Sequence, residues 1–238
     1  SLRAVISRAP SLQRLGPLLA AGSALQFRNM CLNFAFVYAT RTAQLSDPTG
    51  VQAAAYSITM QWWWLGGVLL SALQASAATI VPSERARAKG DSGQGNAAAR
   101  LVSDRLIGWG VVFGVVLCAV QLASVPLIGL FTTVPAVREA AVQPAVIASL
   151  MQIINGVVFV GEGIMMGCGS YKALAIQTTF GASAMVASLW YSSISGGGLT
   201  GIWLSILLFN LVQLVGVLRQ IYLVGPLCND DHDTATST

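Results

Sequence analysis

The chain has 238 residues, of which 55% are hydrophobic and 9% are charged. An average soluble domain carries about 25% charged residues, so this sequence has too few to cover a water-facing surface. Its 13 basic and 9 acidic residues leave a formal net charge of +4, a mild excess for a nucleic-acid binder. The composition argues against a soluble enzyme, a disordered segment and a nucleic-acid-binding protein, and it predicts a protein of the lipid bilayer.

Long intervals without charge predict an all-α membrane protein, a bundle of six transmembrane helices. A hydrocarbon core needs about 20 residues of helix, and these runs lack the alternation of β-barrel strands. The interval from Lys172 to Arg219 holds two spans, separated at glycines 196–198. The first helix is the weakest candidate because it carries Arg28. The predicted helices are residues 15–43, 52–82, 100–131, 136–168, 171–194 and 199–224.

Three segments of the chain are predicted to lie outside the bilayer. Residues 1–14 are basic and resemble a cytoplasmic linker, and residues 227–238 are polar and resemble a disordered cytoplasmic tail. Residues 83–99 form the one sizeable polar connection, which we interpret as a solvated cytoplasmic loop. The membrane lobe is thus predicted to span residues 15–226.

The distribution of basic residues orients the predicted helices. If the first helix begins in the cytoplasm, two basic residues, Arg41 and Arg138, lie on the opposite side. Such a bias follows the positive-inside rule and favours both chain ends in the cytoplasm. The ten basic residues on or near the cytoplasmic side are Arg3, Arg8, Arg14, Arg85, Arg87, Lys89, Arg100, Arg105, Lys172 and Arg219.

Two ionisable residues, Arg28 and Glu162, fall inside predicted helices. A charge at mid-bilayer costs at least about 2.5–3.5 kcal/mol on insertion scales, so such residues tend to face a cavity or a partner. On the fourth helix, Gln152, Asn155 and Glu162 follow helical spacing and share one face. Glu162 is interpreted either as a cavity carboxylate that binds a proton or cation, or as a structural carboxylate paired with arginine. At similar depths, Arg28 and Asn155 are expected to meet near the midplane.

Polar residues on the other helices complete the candidate site. Tyr56 and Gln74 share one face of the second helix. Six amides are equally well explained as hydrogen-bonding glue between helices, and they are Gln26, Asn29, Asn33, Gln74, Asn210 and Gln213. Of the three adjacent tryptophans at 62–64, one is expected to face lipid or an interface and another could line a pocket. The predicted cavity wall consists of Arg28, Tyr56, Gln74, Gln152, Asn155 and Glu162.

Residues for catalysis or metal binding do not assemble in the sequence. His232 is the one histidine, and the four cysteines have neither metal-ligand nor redox spacing. An intramembrane enzyme would need a nucleophile with its base or a metal set within the helices. The sequence therefore predicts no catalytic residue, no metal site, no cofactor other than a coupling ion, and no enzyme.

Five stretches of the sequence together resemble the multidrug and toxic compound extrusion (MATE) family. The likeness is greatest to its DNA-damage-inducible F branch, which includes plant and algal members, and to the second six helices of that fold. The most specific stretch is QIINGVVFVGEGIMMG at 152–167, which is similar to the tenth helix of the family. The others are AAYSITMQ at 54–61 with IVP at 80–82, DRLIGWG at 104–110, LFTTVPAVR at 130–138 and GLTGIWL at 198–204.

The resemblance implies one lobe of a twelve-helix antiporter whose two lobes enclose a central cavity. It implies export of amphipathic organic compounds or drugs in exchange for protons or sodium, with a missing N-terminal six-helix lobe as partner. Aromatic and methionine surfaces would tolerate varied ligands, and Glu162 would favour cations. The acidic residue of the first helix that is usually linked to proton coupling in this branch has no counterpart in this chain.

Two other functions stay open at this point. A lipid or oligosaccharide-lipid flippase of the same superfamily would favour basic cavity residues, and Arg28 is compatible with it. A structural or regulatory membrane subunit would need no transport pathway. Substrate, coupling ion and the membrane concerned, whether plasma membrane or organelle membrane, are not readable from the sequence.

Overall fold

Long apolar segments of this chain form helices because a helix satisfies every internal backbone hydrogen bond without water. The structure, a computed structural model, describes residues 12–92, 94–225 and 227, and in this part of the chain helices and the turns between them are the whole of its secondary structure. A 3₁₀ turn at Val125–Leu130 follows the third helix and a π-helical turn at Gln220–Val224 follows the last. The six helices are α1 (Leu12–Leu45), α2 (Val51–Ser92), α3 (Gly95–Ser124), α4 (Pro135–Gly167), α5 (Tyr171–Ser195) and α6 (Gly198–Arg219). The predicted fold class is confirmed.

Five of these six described helices are long and apolar enough to cross a bilayer. Helix α1 is not among them, although its 34 residues would suffice in length. Its polar residues, Arg28 among them, explain the weak hydropathy that the sequence already indicated. The candidate spans are Val51–Gly90, Gly95–Leu130, Pro135–Gly167, Tyr171–Ser195 and Gly198–Val224.

The polar loop predicted at 83–99 is wrong, because most of it is helical. Helix α2 continues past Pro82 to Ser92, and α3 begins at Gly95. Alanine, arginine, lysine and glutamate dominate this stretch, and all are strong helix formers. Arg87 and Glu84 lie about one helical turn apart and form an ion pair, with 2.7 Å between Nη2 and Oε2, which stabilises the helix here. Helix α2 therefore extends beyond the predicted end at residue 82.

The predicted terminal segments lie largely outside the described residues. Residues 1–11 of the predicted linker are outside, and residues 12–14 already belong to α1. Of the predicted tail, residue 227 is described, and Leu227 is buried in an apolar cluster with Ile164 and Ile221.

At the glycine-rich stretch between α5 and α6, Gly196 adopts a left-handed φ of 71° that ends α5.

Helix α4 occupies the centre of the bundle and packs against α2, α3 and α6. Glycines permit the closest approach. A Cβ on Gly110 of α3 would collide with the backbone carbonyl of Gly156 on α4, and the reverse also holds. Helix α1 instead packs mainly along α5 and touches α2 little. A slot between α1 and α2 results from this arrangement.

The orientation of the bundle can be tested at the end of α2. Because short connections join the helices, they alternate in direction, and the exposed Lys89 lies at the end that the positive-inside rule places in the cytoplasm. We expect Lys89→Cys, in a full-length cysteine-free background, to react with an impermeant maleimide only after cells are opened. Ser195→Cys, exposed at the other end of the bundle, is the matched control and should react in intact cells. Labelling of residue 89 in intact cells would contradict the orientation.

Candidate functional site

Arg28 and Glu162 form an ion pair between α1 and α4. Arg28 donates through Nη2 to Oε2 of Glu162 at 2.5 Å, and the side chains are 14% and 6% exposed. Burying two charges is costly unless they pair and their remaining hydrogen-bonding groups are satisfied. Of the two interpretations of Glu162, the arginine-paired carboxylate is therefore the one seen in this conformation. Arg28 contacts Glu162 rather than Asn155, the partner that equal depth had led us to expect.

Amide side chains from two further helices complete the surroundings of Glu162. Gln74 of α2 donates through Nε2 to Oε2 at 3.1 Å, and Gln213 of α6 donates through Nε2 to Oε1 at 3.2 Å. The same Nε2 lies 3.2 Å from Oγ1 of Thr178 on α5. Both carboxylate oxygens are thus held by N–H donors, and one polar network joins α1, α2, α4, α5 and α6.

A cavity of about 300 Å³ opens beside this ion pair, between α1, α2, α4 and α6. Arg28 and Glu162 are the two charged residues among the described residues that line it. Aromatic and small residues form most of the remaining wall. The lining residues are Arg28, Leu32, Phe36, Trp63, Trp64, Gly67, Val68, Ser71, Val158, Phe159, Glu162, Phe209, Asn210 and Gln213.

The three adjacent tryptophans point in different directions, as their positions on one helix require. Trp64 is 59% exposed at the mouth of the cavity. Trp63 lines the cavity and packs on Trp203 and Phe36, with ring centroids 6.4 and 5.9 Å apart. Trp62 packs edge-to-face on Phe131, just after the 3₁₀ turn, with ring centroids 6.0 Å apart. One indole faces outward and another lines a pocket, as the sequence suggested.

Gln152 and Asn155 lie away from this cavity, although the sequence placed them in its wall. Both are fully buried. Gln152 donates through Nε2 to the backbone carbonyl of Trp63 at 3.0 Å and to Oε1 of Gln121 at 3.2 Å. Asn155 donates to Oε1 of Gln152 at 3.1 Å. Through Gln152, these amides hydrogen-bond α4 to α2 and α3, a role that the sequence had suggested for other amides but not for these two.

Tyr56 lies in a second cavity, of about 610 Å³, farther along the slot between α1 and α2. The phenol is buried, and its ring packs on Trp203 at 6.4 Å between centroids. Phe36 and Trp64 line both cavities, so the two are neighbours. Gln74, by contrast, contacts Glu162 directly. Of the six predicted residues, the structure brings Arg28, Gln74 and Glu162 together. Gln152 and Asn155 form a second buried pair, and Tyr56 lies in the second cavity.

Sequence reasoning left Gln213 and Thr178 out of the candidate site. Gln213 follows Asn210 by three residues, a helical spacing that marks a polar face on α6, but it had the same features as other amides in the chain. Thr178 had no distinguishing neighbour. Among the described residues, no group of three or more His, Cys, Asp or Glu side chains is placed to hold a metal ion.

Known proteins resemble this chain in sequence and in fold. No protein-family model matches the chain. The sequence is 28% identical over 221 residues to Protein DETOXIFICATION 44, chloroplastic, from Arabidopsis thaliana. The match covers 90% of this chain and 40% of that protein. The chain thus spans less than half the length of this relative.

Two solved structures share the fold at a TM-score of 0.73 and 15% sequence identity, and each match covers 87% of this chain. One is a MOP superfamily transporter from Pyrococcus furiosus described as having a binding pocket of reverse polarity, of which 44% is covered. The other is a multidrug resistance MATE family transporter of the MOP superfamily in an outward-facing conformation, of which 45% is covered.

These relatives decide several expectations at once. Both solved structures are described as transporters, the class of protein that the sequence predicts for this chain. Together with the long apolar helices, they make the chain a multi-pass integral membrane protein. That it is the C-terminal rather than the N-terminal half stays a prediction. Sequence and fold confirm the resemblance to the MATE family, and the chain has the fold of one six-helix lobe, about half of such a transporter.

Proposed function

We propose that this chain is the C-terminal lobe of a secondary active antiporter that exports amphipathic organic compounds. The observation that carries the proposal is the buried ion pair of Arg28 and Glu162 at the wall of an aromatic-lined cavity. Ionisable residues inside membrane helices typically mark substrate or ion pathways. Alternating access would expose this cavity to each side of the membrane in turn, by rocking of two lobes.

The missing partner is proposed to be a second six-helix lobe that covers the slot. Exposed residues with polar groups form a stripe along α1 and another along the facing side of α2. Within each stripe, successive residues are three, four or seven positions apart, so they share one face of the helix. Uncharged amides in contact with lipid would leave their hydrogen-bonding groups unsatisfied. These exposed residues are Gln26, Asn29, Asn33, Thr40 and Gln44 on α1 and Ser57, Gln61, Trp64 and Ser71 on α2.

Glu162 is the proposed site of coupling to protons or sodium. It is the acidic residue among the described residues that lines the cavity. A coupling cation would have to take the place that Arg28 occupies on this carboxylate. The flippase alternative would favour several basic residues in the cavity wall, whereas Arg28 is the one basic residue among the described residues that line it. A structural or regulatory subunit would not need the cavity at all.

Glu162→Gln in the full-length protein tests the proposal. We expect export to fall at least about tenfold, which corresponds to a loss of 1.4 kcal/mol, because an amide neither attracts a cation nor offsets the charge of Arg28. Efflux of a fluorescent substrate from cells or proteoliposomes is the measurement, with protein abundance followed on immunoblots. Glu84→Gln, which removes the partner of Arg87 at the exposed end of α2, is the matched control and should retain export. Unchanged export by Glu162→Gln would reduce Glu162 to a packing role.

A further inference from the structure

Arg28 has hydrogen-bonding capacity that Glu162 does not use. Its guanidinium carries five N–H donors, and its contact with Glu162 runs through Nη2. The Nε atom is buried and has no hydrogen-bond partner among the described residues. A buried donor without a partner destabilises the folded protein, and an acceptor brought by a ligand would remove this cost.

A second residue of the cavity wall also carries an unpaired donor. The indole Nε1 of Trp63 is also buried without a partner among the described residues. Both oxygens of Glu162, in contrast, already accept hydrogen bonds from Arg28, Gln74 and Gln213. The carboxylate is therefore occupied, while the arginine and the tryptophan have N–H groups to offer.

We propose that this cavity binds small organic anions with an aromatic body, and that Arg28 is the residue that selects them. The carboxylate or sulfonate of the ligand would accept hydrogen bonds from Arg28, which would then lie between two anions, the ligand and Glu162. Guanidinium groups suit this position because they stay charged and bind carboxylates directionally. The inference rests on the proposed transporter function, since it names the class of compound carried.

The remaining wall of the cavity suits the apolar part of such a ligand. Phe36, Phe159 and Phe209 surround a volume of about 300 Å³, enough for a body of two fused rings. An acidic residue in the sequence had suggested organic cations as substrates. In the structure a cation would have to displace Arg28 from a contact of 2.5 Å before it reached the carboxylate, whereas an anion could bind Arg28 without breaking that contact.

Three probes with one aromatic body test the inference on the purified full-length protein by calorimetric titration. They are 2-naphthoate, the neutral 2-naphthamide and 2-naphthylmethylammonium. We expect the wild-type protein to bind 2-naphthoate at least tenfold more tightly than either other probe. Arg28→Gln should reverse the order and make the ammonium probe the tightest, because Glu162 then lacks its cation. Arg105→Gln, an exposed site on α3, is the matched control and should leave the order unchanged.

Trp63→Phe provides a variant that keeps the ring and removes only the indole N–H. We expect this substitution to weaken the binding of 2-naphthoate severalfold and to leave the affinity for 2-naphthamide unchanged. This comparison tests the inference even if Arg28→Gln does not fold. Tightest binding of the ammonium probe to the wild-type protein, or absence of binding by all three, would overturn the inference. Equilibrium binding of 2-naphthoate that depends on Arg28 supports the inference whether or not export is observed, so the result is independent of the transport assay.

Discussion

Arg28→Gln is expected to lower the free energy of unfolding of the full-length protein by about 3–5 kcal/mol, the usual cost of leaving one member of a buried ion pair without its partner. The remaining Glu162 carboxylate would keep the two amide donors, Gln74 and Gln213, but lose its counter-charge. Replacing both members of the pair, as in Arg28→Gln with Glu162→Gln, removes both charges. This double variant should therefore be more stable than the single variant Arg28→Gln.

A double-mutant cycle measures this coupling directly. Unfolding of the wild-type protein, the two single variants and the double variant is followed in one detergent by tryptophan fluorescence. The effects of the single variants are expected to sum to more than the effect of the double variant. Additive effects would mean that Arg28 and Glu162 do not interact in the folded protein.

Gly110→Ala is expected to destabilise the protein by about 1–3 kcal/mol, the range found when an extra carbon is forced into a packed interior. The new Cβ would strike the backbone carbonyl of Gly156 and would also crowd the side chain of Val160 on the same helix. Backbone cannot swing aside as a flexible side chain does, so α3 and α4 must separate. Since α4 also carries Glu162, export should fall together with stability.

Gly108→Ala is the matched control for this prediction. It lies on the same helix two residues away, and a Cβ placed there meets no atom within 4 Å. Alanine in a helix is favoured over glycine by about 0.5–1 kcal/mol, so this variant should be neutral or slightly stabilising. Thermal unfolding of both variants in detergent makes the comparison. Equal stability of Gly110→Ala and Gly108→Ala would contradict the close contact between α3 and α4 at Gly110.

The membrane environment and the helical fold were predictable from the sequence because hydropathy is a local and additive property. Each apolar run reports its own preference for lipid, regardless of what lies beside it. The same reasoning failed for residues 83–92, where charge suggested a loop although Ala, Arg and Lys are good helix formers. Charge indicates where a helix leaves the bilayer, and it does not say where the helix ends.

The amino-acid sequence by itself determined that this is a helical membrane protein with two membrane-embedded charges, Arg28 and Glu162. Only the tertiary structure decided that these two residues, 134 positions apart, are partners, and that Gln213 joins them while Gln152 and Asn155 turn toward α2 and α3. Helical spacing defines which residues share a face of one helix, but the neighbour of that face depends on how all six helices pack. A residue such as Asn155 therefore has the same pattern in sequence whether it lines a cavity or ties two helices together.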